Sequence, residues 1–525
     1  MTLLWLLALL ILGGGLSWAG ENLRRGCGHW IALAVLAIAI LLLGRYLPQA
    51  LDVLAAEPKP QTLWWDHIRV PWIPRFGISF TLAIDGLGFL MLALTLLCGL
   101  FGLVMTWREI RRRTGCYLAN YLWTLAGVVG VFCAQDLFLF FCFWETMLVP
   151  MLLLIAIWGH EQRTRAAIQF FIFTQASSLL LLAAIVGSTL VHYQMSGSVS
   201  FSPQQLTATL HTQFAETPYA YWLMLGFFIA FAVKLPAILV HTWLPDAHTQ
   251  APTAGSVLLA AILLKTGAYG LIRFTLPLFP AASTAFSPVA MALGVAGILY
   301  GALMAFSQTD IKRLIAYSSV SHMGFVLLGI YALNSIALQG AVAQMVAHGL
   351  STAALFGIAG SLQHRLHSRD INDVRGIWQT MPALAAVFLF FIVAAMGLPG
   401  LANFVGESLV LIGTYARFPW FSALAAVGLI GAAIYGLKLV VRVLFGPPPA
   451  VREASDATMG SSGLMDLRRR ELFALLLPLL LLVWIGLYPQ PLLRQSAGWS
   501  NLLATYFTAP AADGDKAASL QGAAP

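Results

Sequence analysis

The chain has 525 residues, of which 59% are hydrophobic and only 10% are charged, and its mean hydropathy is +0.83. A soluble domain carries roughly 25% charged residues, so this composition excludes a soluble protein and indicates one embedded in a lipid bilayer. The formal net charge of +8 is spread over the loops between apolar segments, so no nucleic-acid partner is expected. The five cysteines form no Cys-x-x-Cys pair, which argues against a disulfide framework and against a metal or iron–sulfur site.

Apolar segments of membrane-spanning length follow one another along the chain. They do not alternate with a period of two residues, which favours helices over strands. The first has no basic segment before it, so we interpret it as a spanning helix rather than as a signal peptide. The sequence predicts an all-α polytopic membrane protein with about fourteen transmembrane helices, at residues 2–19, 30–47, 78–106, 117–134, 136–158, 165–191, 219–245, 253–276, 286–306, 310–332, 335–362, 380–416, 419–444 and 471–488.

The distribution of basic residues supports this count and gives an orientation. If both termini are periplasmic, 18 of the 29 lysine and arginine residues fall on the cytoplasmic side and 8 on the other. Cytoplasmic loops of membrane proteins carry such an excess. The residues after Tyr488 are rich in alanine, proline and serine, and they are predicted to form a short mobile tail.

Lys234 and Lys265 lie deep inside two of the apolar segments. A lysine at the centre of a bilayer costs about 2.5–3.5 kcal/mol on insertion scales, so its presence calls for a reason. Because a medium of low dielectric disfavours the charged form, a buried lysine releases its proton more readily than an exposed one. The two lysines therefore suggest a protein that holds protons inside the membrane.

Further ionisable groups are predicted at a similar depth. At about 1.5 Å per residue they lie about 14–20 Å into their helices, near the middle of the bilayer. These groups are Glu145, His322, His348 and Glu407, with His241 seven residues after Lys234. Each histidine could equally be a packing residue that bonds to a neighbouring helix. For the lysines and glutamates, the alternative interpretation is a static salt bridge.

Two segments are predicted to be broken helices. Pro236 follows Lys234 by two residues, and Gly397-Leu398-Pro399-Gly400 interrupts the long segment that contains Glu407. Proline and glycine free backbone carbonyls, and interrupted helices with a charge nearby are typical of transporters with inverted repeats. These breaks fall in predicted helices 7 and 12.

Six segments carry a specific family pattern: Phe140–Pro150 (FFCFWETMLVP), His241–His248 (HTWLPDAH), Ala251–Val257 (APTAGSV), Leu264–Arg273 (LKTGAYGLIR), Asp310–Gly324 (DIKRLIAYSSVSHMG) and Met345–Gly349 (MVAHG). Together they closely resemble the core of the antiporter-like subunits of respiratory complex I. The resemblance runs from about Asp85 to Phe445. Several members of that family carry lysine in the broken twelfth helix, where this chain has Glu407.

The resemblance implies two inverted five-helix repeats. On this basis the chain divides into helices 1–3 at residues 1–116, repeats at 117–276 and 286–445, and a last helix with its tail at 446–525. The resemblance also implies that Glu145 and Lys234 form a modulating pair, that Lys265, His322 and His348 relay protons, and that Glu407 is the terminal group towards the periplasm. His241, His248, Asp136 and Asp246 match family positions as secondary candidates, and the two aspartates could equally be helix caps.

The implied function is proton translocation by a membrane-arm subunit of NADH:quinone oxidoreductase in a bacterial inner membrane. No cofactor is expected in this chain, since FMN, iron–sulfur clusters and quinone belong to partner subunits. The expected partners are lipid and the L- and N-type antiporter-like subunits, in a hetero-oligomer. The first alternative is a subunit of an Mrp-type cation/proton antiporter, and the second is a scaffold whose buried charges only hold helices together.

Overall fold

The computed structural model of the chain describes residues 1–55, 64–211, 218–446 and 465–508. These residues are mostly helical, and 12 of their helices are long and apolar enough to cross a membrane. In chain order the helices are α1 (Thr2–Leu23), α2 (Cys27–Leu54), α3 (Gly86–Met105), α4 (Thr114–Cys133), α5 (Leu137–Trp158), α6 (Arg163–Ser196), α7 (Pro203–Leu210), α8 (Pro218–Lys234), α9 (Trp243–Gln250), α10 (Thr253–Leu278), α11 (Pro280–Ser307), α12 (Ile311–Tyr331), α13 (Ser335–Leu366), α14 (Ile377–Thr380), α15 (Pro382–Ala395), α16 (Ala402–Tyr415), α17 (Pro419–Leu444), α18 (Arg469–Leu487) and α19 (Gln490–Thr508). The prediction of a helical, multi-pass membrane protein is confirmed, whereas the count of fourteen spans and the repeat boundaries stay predictions.

The most deeply enclosed helices are α10, α12 and α13. The most apolar stretch of each is completely buried by the rest of the protein, whereas less than half of the corresponding stretch is buried in α1, α2, α17 and α18. A helix that is buried on all sides can carry polar groups towards its neighbours without presenting them to lipid. These three helices therefore form the interior in which ionisable side chains can meet.

Helical structure is interrupted beside both predicted breaks. Between α8 and α9 the chain leaves the helix for residues 235–242, and the indole of Trp243 donates a 2.9 Å hydrogen bond to the carbonyl oxygen of Val233. Between α15 and α16, Gly397 and Gly400 have φ angles of 78° and 92°. Only glycine adopts such angles without strain, so these two residues allow the chain to turn inside an otherwise apolar segment.

A two-stranded hairpin between α2 and α3 corrects the prediction that the third transmembrane helix begins at residue 78. Strand β1 (Asp66–Ile73) pairs antiparallel with β2 (Ile78–Ile84), and Asp66 faces Ile84. Residues 78–84 were predicted as the start of a helix because they are apolar and run directly into α3. The side chain of Asp85 accepts a hydrogen bond from the backbone of Gly88 and marks the true start of that helix.

The C-terminal residues provide a second correction. Residues 490–508 form helix α19 rather than a mobile tail. The helix packs one face inward, with Leu492, Gln495, Ser496, Ser500 and Leu503 all buried. This spacing of three and four residues is amphipathic, but three of the five inward residues are polar, so the pattern is weak in the sequence. The predicted mobile residues beyond 508 lie outside the described part of the chain.

Candidate proton path

The centre of the site is a direct contact between Lys265 and His348. Lys265 lies on α10, immediately after a π-helical stretch at Leu259–Leu263, and His348 lies on α13. The Nζ atom of Lys265 is 2.6 Å from Nδ1 of His348 and donates a second hydrogen bond of 2.6 Å to the carbonyl oxygen of Ala260. Both side chains are fully buried. Two groups that can each carry a proton thus lie within direct transfer distance.

A second contact joins His322 on α12 to Glu407 on α16. Nδ1 of His322 is 2.7 Å from Oε1 of Glu407, and the amide of Gln344 donates a 2.9 Å hydrogen bond to the same oxygen. The hydroxyl of Tyr435 lies 3.2 Å from Nε2 of His322 on the other side of the ring. Gln344 and Tyr435 orient the histidine and the carboxylate. The sequence did not point to Gln344 or Tyr435, because neither side chain acts as an acid or a base near neutral pH.

The two contacts are connected through the histidine rings. The ring centres of His322 and His348 are 5.5 Å apart, so the four groups form one continuous row from α10 to α16. Nε2 of His348 and Oε2 of Glu407 are buried and have no hydrogen-bond partner within the described residues. Buried polar atoms are usually satisfied, and unsatisfied ones are frequent where protons or water move.

The glutamate at the end of this row lies against the break between α15 and α16. A methyl group added to Gly397 would come within 3.0 Å of Oε2 of Glu407. The unpartnered carboxylate oxygen therefore points towards backbone that has left the helical hydrogen-bond pattern. Freed backbone groups of this kind can bind water at membrane depth.

Lys234 and Glu145, which the family resemblance implies form a modulating pair, are not hydrogen-bonded to each other in the structure. Lys234 is buried between aromatic rings, with Nζ 5.1 Å from the centre of the Trp144 ring and 5.7 Å from that of Phe170. Neither Nζ of Lys234 nor Oε1 of Glu145 has a hydrogen-bond partner in the described part of the chain. Consecutive helical residues point about 100° apart, so a helix that presents Trp144 to Lys234 turns Glu145 aside.

The secondary candidates have different surroundings. The carboxylate of Asp136 accepts hydrogen bonds from the backbone of Phe138 and Leu139, so it caps α5. The ring of His241 lies edge-on to Tyr300 with 5.1 Å between centres. Asp246, on α9, lies 3.5 Å from the guanidinium of Arg313, and the ring of His248 on the same helix stacks on Phe356 with 4.8 Å between centres.

Arg273, in the last part of α10, is buried inside the protein. Its guanidinium lies 2.7 Å from the carboxylate of Asp85, and both side chains are 2% exposed. The rings of Trp64 and Trp499 lie on it, at 4.8 and 4.4 Å from ring centre to the guanidinium carbon. No local pattern in the sequence points from Arg273 to the distant Asp85.

This buried ion pair should be essential for stability. Asp85→Asn keeps the oxygen that caps α3 but leaves the Arg273 charge unpaired, so we expect a loss of about 3–5 kcal/mol, seen as a lower melting temperature of the purified complex. The double variant Asp85→Asn with Arg273→Met removes both charges and should recover part of the loss. If the single variant melts like the unmodified protein, the ion pair has no structural role.

The chain was compared with known proteins. The family model described as NADH:quinone oxidoreductase/Mrp antiporter, TM, matches residues 134–434. NADH-quinone oxidoreductase subunit M from Pseudomonas aeruginosa is 51% identical over 505 residues, which cover 95% of this chain and 96% of the relative. The subunit M of Escherichia coli strain K12 is 49% identical over 502 residues, 94% of this chain and 96% of the relative. These matches extend well beyond the segments that carried the predicted resemblance.

Solved structures show the same fold. A chain of the respiratory complex I from Thermus thermophilus with bound NADH superposes with a TM-score of 0.82 at 30% identity, covering 96% of this chain and all of that one (100%). A chain of the Mrp complex from Dietzia sp. shares the fold alone, with a TM-score of 0.77 at 22% identity over 95% of this chain and 52% of that one. The predicted resemblance is confirmed: the chain belongs to the antiporter-like subunits of NADH-quinone oxidoreductase, and within them to the subunit M family.

Proposed function

We propose that this chain moves protons across the membrane along the row Lys265, His348, His322 and Glu407. As a member of the subunit M family, it is a membrane-arm subunit of a proton-pumping NADH-quinone oxidoreductase. The observation that carries the proposal is the continuity of the row. Two contacts of 2.6 and 2.7 Å are joined by histidine rings 5.5 Å apart, all inside the protein.

Each member of the row can take up a proton and give it away again. The ammonium of Lys265 releases a proton to Nδ1 of His348, and an imidazolium can give up a proton from its other nitrogen. The proton then reaches His322 across the space between the rings and passes to Glu407 through their hydrogen bond. Because the row is buried, each transfer also changes the charge that the next group experiences, so the groups titrate together.

Lys234 and Glu145 control the proton affinity of Lys265. The faces of the Trp144 and Phe170 rings stabilise the ammonium of Lys234. No carboxylate is bonded to it within the described residues. Movement of Lys234 towards Glu145 would neutralise its charge locally and so change the proton affinity of Lys265. The pair that the family resemblance implies then corresponds to a second state of the same site, and the arrangement described here is its separated state.

The chemistry that drives this change takes place elsewhere. NADH oxidation and quinone reduction, with FMN and iron–sulfur clusters, belong to partner subunits, and this chain would lie between L- and N-type neighbours. From the bias of basic residues we infer that both termini face the periplasm of a bacterium and that the charges of α6, α9 and α12 face the cytoplasm. We propose that protons move along the row from the cytoplasm to the periplasm.

Pumping by variants of the controlling pair tests this function. Lys234→Ala and Glu145→Ala should each slow NADH-driven acidification of inverted membrane vesicles by at least about tenfold, because proton affinity at Lys265 no longer changes with the state of the enzyme. Native electrophoresis should show that the complex is assembled. Normal pumping by both assembled variants would contradict the proposed control.

The antiporter alternative remains testable, although the identity of 51% to subunit M is far above the 22% to the Mrp chain. In mild detergent, the proposed complex should co-purify with a flavin and iron–sulfur enzyme. Co-purification with other membrane subunits alone would favour the antiporter. The scaffold alternative is addressed by the Lys265 variants below.

A further inference from the structure

Nine of the 18 basic residues on the side that we infer to be cytoplasmic lie in three neighbouring parts of the chain. They are Arg24 and Arg25 between α1 and α2, Arg108 and the three arginines at 111–113 between α3 and α4, and the three arginines at 468–470 at the start of α18. The helices that carry them are neighbours, since α1 packs against α2 and α4, α2 against α3, and α3 against α18. We call these nine residues the basic corner.

The arginines of the basic corner lack acidic partners. None of the nine forms an ion pair with another residue that the structure describes. The carboxylates of Glu21, Glu109 and Asp466, which lie in the same parts of the chain, accept hydrogen bonds from backbone amides instead. Glu471 pairs with Arg365 of α13. Within the described residues, the positive charge of the corner is therefore not compensated by the protein.

The orientation of the chain in the membrane does not by itself explain this arrangement. Orientation depends on the number of basic residues on one side, and it requires neither clustering nor unpaired side chains. Elsewhere on the same side, Arg313 pairs with Asp246 and Arg369 pairs with Asp310. Like charges at one corner repel one another unless anions lie among them. The basic corner thus calls for an anionic partner.

Tryptophan side chains lie beside these charges. Trp107 directly precedes Arg108, and its ring centre is 5.2 Å from that of Trp30 and 5.0 Å from that of His29. Trp30 is 66% exposed, and Trp18, near the end of α1, is 49% exposed. Tryptophan is enriched at the level of lipid headgroups, where one part of its ring is apolar and its N–H group is polar. These rings therefore indicate that the corner lies at headgroup depth.

Apolar surface continues from the corner along α1 and α2. Less than half of the most apolar stretch of each helix is buried, and Leu12, Leu16 and Leu41 are among the exposed side chains. A positive surface that runs directly into an apolar one fits a molecule with an anionic head and hydrocarbon chains. A soluble acidic protein would contact the arginines but leave the apolar faces uncovered. The exposed surface therefore favours lipid as the partner.

We propose that the basic corner binds anionic phospholipids of the adjacent membrane leaflet. The guanidinium groups hold the phosphate through charge-assisted hydrogen bonds, and the acyl chains pack on the exposed faces of α1 and α2. Trp30 and Trp107 lie between these two regions. Clusters of basic residues directly beside membrane-spanning helices are typical of sites for such lipids. The inference does not depend on the proposed proton row.

Photolabelling of the intact complex tests this proposal. The purified complex is reconstituted in phosphatidylcholine vesicles that contain a small fraction of photoreactive phosphatidylglycerol, and the labelled peptides of this chain are identified by mass spectrometry. We expect the peptides around Trp30 and Trp107 to be labelled at least about fivefold more than with photoreactive phosphatidylcholine. Unlabelled phosphatidylglycerol should compete for these positions, whereas inorganic phosphate should not.

A triple variant removes one exposed charge from each part of the basic corner. Arg25→Gln, Arg111→Gln and Arg469→Gln together should lower labelling of the corner by phosphatidylglycerol at least about fivefold. Lysine at the same three positions should preserve most of the labelling, because it keeps the positive charge and also binds phosphate. Native electrophoresis checks that each complex is assembled.

A matched control removes the same number of charges from other parts of this side. Arg163→Gln and Arg165→Gln at the start of α6, with Arg442→Gln in α17, replace three exposed arginines outside the corner. We expect this control to be labelled at the corner like the unmodified complex.

Three results would overturn the proposal. Equal labelling by photoreactive phosphatidylcholine would show contact with bulk lipid and no preference for an anionic head. Unchanged labelling of the corner triple variant would show that its arginines do not hold the lipid. An assembled complex that is not labelled at the corner would show that another subunit covers it.

Discussion

Replacing Lys265 with methionine is expected to stop NADH-driven proton pumping by an otherwise assembled complex. Methionine fills a similar volume but cannot bind a proton, so His348 loses its donor at 2.6 Å. A positioned proton-transfer group contributes about 10²–10⁴-fold to a rate, which makes this among the largest effects expected from a single substitution in the chain. Acidification of inverted vesicles, normalised to the amount of assembled complex, measures it.

The companion variant Lys265→Arg separates proton transfer from charge. Arginine keeps a positive charge near His348 but holds its proton too tightly to pass it on. We expect Lys265→Arg to be nearly as inactive as Lys265→Met. If buried charges only hold the helices together, both variants would instead change assembly and leave pumping per complex intact.

Glu407→Gln is expected to have the second largest effect. The amide of glutamine retains an oxygen for the hydrogen bonds from Gln344 and His322, so the local packing should survive. It cannot accept the proton from His322, and pumping should fall by about 10²-fold or more in the same vesicle assay. Glu407→Asp, which keeps a titratable group on a shorter side chain, should retain measurable activity; equal loss in both variants would indicate a structural role.

The members of the row could be predicted from the sequence because ionisable residues are rare inside membrane-spanning segments. Lys265, His322, His348 and Glu407 stand out because they interrupt long apolar runs at similar depth. Depth along a helix follows from counting residues, whereas the direction of a side chain depends on how each helix is rotated against its neighbours. The contacts between these four groups are therefore a structural finding.

Rotation also explains what sequence analysis missed. Glu145 and Lys234 were placed at compatible depths, but the rotation of α5 turns Trp144 towards the lysine instead. Helices α3 to α9 lie between Asp85 and Arg273 in the sequence, and nothing local connects the two residues. Gln344 and Tyr435 escaped notice because a neutral side chain in a membrane helix signals function only through what it touches.

The two corrections to the fold have a common cause. Neither residues 78–84 nor residues 490–508 show a clear hydrophobic period in the sequence. The strand is buried on both faces along most of its length, so it resembles the apolar helix that follows it. Helix α19 buries polar as well as apolar residues, with the amide of Gln495 bonded to the carbonyl oxygen of Ala50 at 2.6 Å.

The central claim is that protons travel through the row during turnover, and the protonation of Glu407 tests it most directly. Infrared difference spectra of the complex, with and without NADH, should contain the carbonyl band of a protonated carboxyl group that disappears in Glu407→Gln. The same band should be absent in Lys265→Met, because no proton then reaches the glutamate. A band that persists in Glu407→Gln, or unmodified spectra without any carboxyl change during pumping, would contradict the account.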